Sequence, residues 1–301
     1  MSNPVYDVII IGGSYSGLAA AMTLGRSLKQ VLVIDSDQPC NQQTPHSHNF
    51  LTRDGDSPQA IAGIAREQAL KYPTVAWAYD QATRAIKQVD TLYIIETASG
   101  RSFFSKKVHL ATGVKDLLPQ IPGLAACWGI SVIHCPFCHG YEVHGRKTGF
   151  LGNGDAAFRK INLLLNWTRE LILFTNGPCT LTSEQLAFLN DKQIPVLDAA
   201  IESLEHTQGK LQQINFSNAT SFSVNVLYAE IPVELSTDIP HQLGCALTED
   251  GLIQVDALQR TTAAGVTASG DCAMRMRSVA LSVAGGHKAG MTMLQSFVFP
   301  E

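Results

Sequence analysis

Three features predict an α/β fold built on two strand–turn–helix units. Val8-Ile9-Ile10-Ile11 runs directly into Gly12-Gly13-Ser14-Tyr15-Ser16-Gly17 and then into good helix formers, Leu18 to Leu24. A second start stands near mid-chain, where Thr148-Gly149-Phe150-Leu151 leads into Gly152-Asn153-Gly154-Asp155-Ala156-Ala157. Between them lies Cys135-Pro136-Phe137-Cys138, the one closely spaced pair among 7 cysteines.

The first unit is justified by its residue types. A short apolar run rich in β-branched residues is a buried parallel strand. Gly12 allows the tight turn, Gly17 lets the helix approach the strand, and the helix N-terminus offers N–H groups to a pyrophosphate. Val31-Leu32-Val33-Ile34 is the next strand and ends in Asp35, where a carboxylate can take ribose hydroxyls. Ser14 replaces the middle glycine and weakens the fingerprint.

The loop from Ser36 to Asp56 is rich in Gln, Asn, His and Pro. Ser57-Pro58 caps a helix to about Lys71, which Pro73 ends. Four strands follow, Thr74 to Tyr79, Ala82 to Val89, Leu92 to Thr97 and Phe103 to Leu110, read as an antiparallel insert over one face of the parallel sheet. Ala111-Thr112-Gly113 closes this block, and Pro119 and Pro122-Gly123 make a linker to the dithiol.

After the second glycine turn a helix is expected to about Trp167, then the strand Leu171 to Phe174, then short strands and helices to about Ser236. Thr237 to Gly244 reads as a return linker. The last block carries the strand before Gly270-Asp271 and a closing helix from about Ser278 to Leu294.

A length of 301 residues points to two domains, and a hydrophobic fraction of 45% builds sizeable cores. A formal charge of -4 without basic clusters argues against nucleic acid and against an anionic membrane surface. The start, Met1 to Asp7, has no basic region and enters a strand at once, so it does not read as a signal peptide. No apolar run reaches the roughly 18 residues of a membrane span. The expectation is a soluble, cytoplasmic protein.

Two thiols two residues apart can form a reversible disulfide or supply half of a zinc site. The zinc alternative needs two further ligands, and only His134, His139 and His144 are near in sequence; no metal site is expected. Cys40, Cys127, Cys179, Cys245 and Cys272 are expected to be buried small hydrophobes. His139 is a candidate acid/base for exchanging thiols, against the alternative of a solvated loop histidine. His48 is read either as lying near a bound cofactor or as a surface histidine.

Together these pieces resemble the low-molecular-weight thioredoxin reductase family. The match rests on the Val8–Gly17 start, Ala111-Thr112-Gly113, the C-x-x-C, the second G-x-G-x-x-A and Gly270-Asp271, in that order. The run His134-Cys135-Pro136-Phe137-Cys138-His139-Gly140-Tyr141-Glu142 is similar to the branch holding the gliotoxin and holomycin dithiol oxidases. The resemblance implies a three-layer ββα architecture with two dinucleotide-binding domains. The FAD domain would be split over 1–116 and 241–301, and 117–240 would carry the dithiol and a nicotinamide site. Gly12, Gly13 and Gly17, with Ser14 and Ser16 in the same turn, would face the FAD pyrophosphate. Asp35 would hold the adenosine ribose and Asp271 the ribityl chain, with Thr112 and Gly113 beside them. Cys138 would lie against the flavin and Cys135 would meet a dithiol or disulfide substrate, either a thioredoxin-like protein or a small molecule. Family members are homodimers.

Two departures bear on the nicotinamide cofactor. NADPH-using members follow the second motif with cations for the 2′-phosphate, whereas here Phe174 is followed by Thr175-Asn176-Gly177-Pro178. Ser278-Val279 stands where an Arg-Gln pair is expected, with Arg277 one place off. Both losses weaken the case for NADPH as donor. Three functions remain open: a disulfide oxidoreductase with another donor, a dithiol oxidase using oxygen, and a flavin-binding redox sensor without turnover.

Overall fold

The computed structural model describes residues 4–88 and 92–299. The chain divides into two compact units: Met1–Gln42, Phe50–Lys115 and Val233–Glu301 form the first, and Gln43–Asn49 with Asp116–Pro232 form the second.

The first unit is built on a seven-stranded sheet. Val5–Ile11 lies between Val31–Asp35 and Ser102–Leu110, parallel to both. Val75–Tyr79 extends the parallel ladder beyond Val31–Asp35. All four strands expected in an antiparallel insert over one face therefore lie within this one sheet, and two of them pair in parallel. Only Ala82–Lys87 and Tyr93–Thr97 run antiparallel. The cause is the length of Ser102–Leu110. Its first half bonds Tyr93–Thr97, and its last three residues bond Val266–Ala268 in parallel register. The expected strand end at Val89 lies outside the described residues.

Helix Tyr15–Arg26 packs against the closing helix, Val279–Val298, which is longer than expected. Small residues set the approach. A Cβ on Gly286 would stand 2.0 Å from the Ser16 carbonyl oxygen, and one on Gly290 would stand 2.8 Å from Thr23 Cβ. Helix Pro58–Leu70 starts at Ser57, whose side chain accepts from the Ala60 amide at 3.2 Å.

The second unit centres on a five-stranded parallel sheet, in the order Val196–Leu197, Leu171–Phe174, Thr148–Leu151, Val226–Ala229, Val132–Ile133. Phe150, Ile161, Leu164 and Leu173 fill one apolar cluster, and Leu124, Trp128, Phe174 and Leu227 fill another. A three-stranded antiparallel sheet, Ile201–Thr207, Lys210–Phe216 and Ser221–Ser223, completes it. The helix after the second glycine turn spans Gly154–Leu164, ending before the expected Trp167.

The division differs from the expected boundary at 241. The return comes earlier because Val233–Leu235 already pairs with Val114–Asp116. Part of the expected linker is a short helix, Ile239–Gln242. Segment 43–49, in the loop after the first strand–turn–helix unit, groups with the dithiol unit. Among the described residues no helix is long and apolar enough to cross a membrane.

Candidate functional site

In the first unit, three parallel strands end side by side. Ile11 is paired with Leu110, and Leu110 with Ala268. Their carboxyl ends carry Gly12 to Gly17, Thr112-Gly113 and Gly270-Asp271, so the sheet brings these expected residues together. In an open α/β sheet, ligands bind beyond the carboxyl ends of the strands.

The glycine turn is tightly built. Gly12 has φ +102°, and a Cβ there would stand 2.2 Å from the Ala111 carbonyl oxygen. A Cβ on Gly17 would stand 1.9 Å from the Gly12 carbonyl oxygen. The Gly13 amide donates to Asp35 Oδ1 at 2.9 Å, which ties the turn to the end of the next strand. Burial pushes the Asp35 carboxyl above its ordinary value, against the pull of that amide. Ser14 is the helix N-cap in an extended conformation, makes no side-chain cap bond, and no acid lies in the first turn. The positive end of a 12-residue helix is thus left for an anion. This turn fits a dinucleotide pyrophosphate.

Ser16 belongs to a buried network that sequence reasoning missed. Its hydroxyl shares a hydrogen bond with that of Ser269. Ser269 Oγ is 3.1 Å from His109 Nε2, and His109 Nδ1 is 2.8 Å from Thr267 Oγ1. Burial holds His109 far below its ordinary range, at about 4, so it is a neutral ring at physiological pH. Its sequence signal was a lone polar residue near the end of an apolar strand. Asp271 accepts from Arg277 Nε at 3.1 Å. Arg277 Nη2 is also 3.4 Å from Cys40 Sγ. Cys40 is exposed, which corrects the expectation of burial. It sits in the polar loop after Asp35, where no apolar pattern encloses it. Cys127, Cys245 and Cys272 are buried, and Cys179 is half-buried.

In the second unit, Cys135 and Cys138 form a disulfide with Cα atoms 5.3 Å apart. Cys135 is the N-cap and Pro136 the first residue of a short helix, Pro136–His139. The amides of Cys138 and His139 both donate to the Cys135 carbonyl, at 3.3 and 3.2 Å. Gly140 is required next, since a Cβ there would stand 2.4 Å from the Pro136 carbonyl oxygen and 2.6 Å from Trp167 Nε1. The Phe137 ring meets Trp167 edge-on at 5.8 Å yet stays 62% exposed.

His139 is half-buried rather than a solvated loop residue. Burial lowers its proton affinity, His48 lowers it further, and Glu142 raises it. His48 is half-buried and belongs to the dithiol unit. Its Nδ1 is 3.5 Å from Glu142 Oε1, with the two side chains 20% and 37% exposed. Residue spacing could not show this, because His48 arrives on the loop segment that joins the second unit. Among the described residues no group of three or more His, Cys, Asp or Glu is placed to hold a metal.

The second glycine motif is arranged differently from the first. Asn153 Oδ1 accepts from the amides of Gly154 and Thr180, each at 2.9 Å, and from Thr180 Oγ1 at 3.0 Å. Asn153 Nδ2 donates to the Pro178 carbonyl at 2.8 Å. Asp155 puts an acid in the first turn of the helix. Thr175 Oγ1 donates to the Gly177 carbonyl at 2.6 Å, and Asn176, at φ +51°, accepts from the Ile201 amide at 2.7 Å. Ser278, in the first unit, caps the closing helix by accepting from the Leu281 amide at 3.2 Å.

The pyridine nucleotide-disulphide oxidoreductase profile matches residues 6–286. Thioredoxin reductase aclD of Aspergillus oryzae is 32% identical over 313 aligned residues, covering 100% of this chain and 99% of that protein. The crystal structure of an oxidoreductase from Agrobacterium tumefaciens is 36% identical and superposes with a TM-score of 0.92, over 99% of this chain and 100% of that one. The crystal structure of HlmI is 28% identical with a TM-score of 0.91, over 98% and 93%. With the sheet order, the glycine turn and the disulfide in place, these matches show that the chain belongs to the pyridine nucleotide-disulphide oxidoreductase family, as a thioredoxin reductase-like, FAD-dependent enzyme.

Proposed function

We propose that this enzyme oxidises dithiols. A dithiol substrate reduces the Cys135–Cys138 disulfide, and the two electrons leave for oxygen by way of FAD, with NADPH a poor donor. The observation that carries the direction is Asn153. Its side chain takes the Gly154 amide at 2.9 Å and binds the loop at Pro178 and Thr180, so groups that would meet a second pyrophosphate are engaged within the protein. Electrons then enter through the thiols.

In this reading the first unit is the FAD-binding domain and the second carries the dithiol. The Gly12, Gly13, Ser14, Ser16 and Gly17 turn holds the pyrophosphate, Asp35 the adenosine ribose, and Asp271 the ribityl chain, with Thr112 and Gly113 lining the same strand ends. FAD, when bound, supplies a two-electron acceptor that oxygen can reoxidise. Cys135 meets the substrate and Cys138 is the leaving thiolate. His139 accepts the proton that the attacking thiol gives up, a task suited to a histidine held neutral at working pH. Lowered proton affinity from burial supports that protonation state. The protein acts in the cytoplasm as a homodimer.

The test is an anaerobic stopped-flow comparison of FAD-loaded enzyme mixed with NADPH, NADH or dithiothreitol, followed by air. Bleaching by dithiothreitol with repeated recovery in air supports the reading. Rapid, saturable bleaching by micromolar NADPH overturns it.

A further inference from the structure

We propose that His48 and Glu142 are positioning residues that govern the proton carried by His139 beside the Cys135–Cys138 disulfide. The inference rests on the reading of His139 as the base for thiol exchange and extends it to two side chains outside the C-x-x-C helix.

The geometry comes from two separate stretches of chain. His48 lies on segment 43–49, which belongs to the dithiol unit although the residues on either side belong to the other. The segment is seated closely, since a Cβ on Gly129 would stand 3.0 Å from Thr44 Oγ1. Its ring faces Glu142, with Nδ1 to Oε1 at 3.5 Å. Glu142 follows His139 within one turn of chain, just beyond Gly140, whose close fit against Trp167 fixes the path.

The charges act on His139 in opposite senses. Burial is the largest influence and disfavours the imidazolium; a charged His48 adds to this, and the Glu142 carboxylate opposes it. Other titratable groups stand nearby. The His46 ring lies 6.3 Å from that of His48, His134 is stacked on Trp128, and His144 is stacked on Tyr141. From the sheet, the Tyr228 hydroxyl is buried without a hydrogen-bond partner among the described residues, and burial followed by the Glu142 charge keeps it protonated. Tyr228 therefore adds no charge, and His48 and Glu142 remain the two that reach His139.

The chemistry needs such control. The first substrate thiol loses its proton to His139 and its sulfur attacks Cys135 Sγ. The S–S bond to Cys138 breaks, Cys138 leaves as a thiolate, and a mixed disulfide forms. The second substrate thiol loses its proton to solvent and attacks the substrate sulfur, so the substrate disulfide forms and Cys135 leaves as a thiolate. Two electrons have moved to the cysteine pair and two protons have left the substrate. A base that burial makes too weak fails at the first transfer. Glu142 restores its affinity, and His48 sets how much of that carboxylate's field His139 feels.

The test uses full-length, FAD-loaded, oxidised protein and reads histidine ring resonances by NMR against pH, with His139→Gln identifying the signal. In Glu142→Gln the His139 midpoint should move down, and in His48→Gln it should move up. Glu142→Asp should lie between wild type and Glu142→Gln. The acid limb of dithiol turnover should follow in the same directions. Opposite shifts separate an electrostatic role from loosened packing, which moves both variants alike. Unchanged midpoints, or shifts of one sign, overturn the inference. Because the titration is read without turnover, it stands apart from any failure of the enzyme to oxidise dithiols.

Discussion

Asn153 caps its own helix: its Oδ1 accepts the Gly154 amide at 2.9 Å, whereas Ser14, the N-cap of the first unit's helix although one place further along its motif, makes no side-chain cap bond. The two motifs look alike in sequence and differ in what their helix ends have available. Asp155 adds a negative charge to the first turn of the second helix, and like charge opposes a phosphate there. Thr175 and Asn176 spend their polar atoms on the turn after Phe174. A missing charge-assisted contact to the 2′-phosphate forfeits roughly 1.5–3 kcal/mol, or about tenfold to a hundredfold in affinity. NADPH and NADH should therefore both reduce the enzyme-bound flavin slowly and with weak saturation. Equilibrium titration of either nucleotide into the oxidised enzyme checks the affinity directly.

Replacing either Cys135 or Cys138 by serine should abolish dithiol oxidation, by ~10³-fold or more, because the two sulfurs act as one unit. Loss should be similar in the single and double variants. Mass spectrometry under denaturing conditions should show two fewer alkylatable thiols in oxidised than in reduced wild-type protein, and no such difference in the variants. Retained turnover in either single variant would falsify the role of the disulfide.

Much of this was legible in the sequence, and the reasons are local. Strand Val5–Ile11, its glycine turn and helix Tyr15–Arg26 follow from short-range sterics, which a run of β-branched residues and two glycines express directly. The C-x-x-C pair is visible from spacing, which allows a disulfide but also half of a zinc site; the structure shows the disulfide. What escaped depended on distant chain. The parallel pairing of Val75–Tyr79 with Val31–Asp35, and of Ser102–Leu110 with Val5–Ile11, is decided by neighbours far along the sequence, and both strands look the same in either direction. His48 meets Glu142 only because segment 43–49 joins the other unit. His109 reads as an oddity in an apolar strand until Thr267 and Ser269 are brought beside it.

Gly286 should be intolerant of any side chain. A Cβ would stand 2.0 Å from the Ser16 carbonyl oxygen and 2.9 Å from Ser16 Cα, both main-chain atoms that cannot turn aside. Gly286→Ala improves helix propensity by about 1 kcal/mol, yet forces apart two helices whose contact is extensive. Overpacking of this kind costs about 1–3 kcal/mol, so the net effect should be a loss. Thermal unfolding should show a lower midpoint for Gly286→Ala, while Gly63→Ala, which meets nothing within 4 Å, should be neutral or stabilising.

His109 should make the first unit acid-labile. Its folded proton affinity sits at about 4 against an ordinary 6.5, because burial disfavours the charged ring and outweighs the hydrogen bond with Thr267, which raises it. Between those values the unfolded chain binds more protons than the folded one, so stability falls as pH falls. The contribution is complete above about 6.5 and is lost progressively as pH drops toward 4. For a fully buried ring, a depression of this size corresponds to a loss on the order of 3 kcal/mol. Urea unfolding of the first unit at pH 7, 6, 5 and 4.5 should trace that loss. His109→Gln cannot titrate in this range, so its curve should be flatter, although lower at pH 7 because the network to Ser16 is broken. An equally steep acid loss in His109→Gln would assign the effect to other groups.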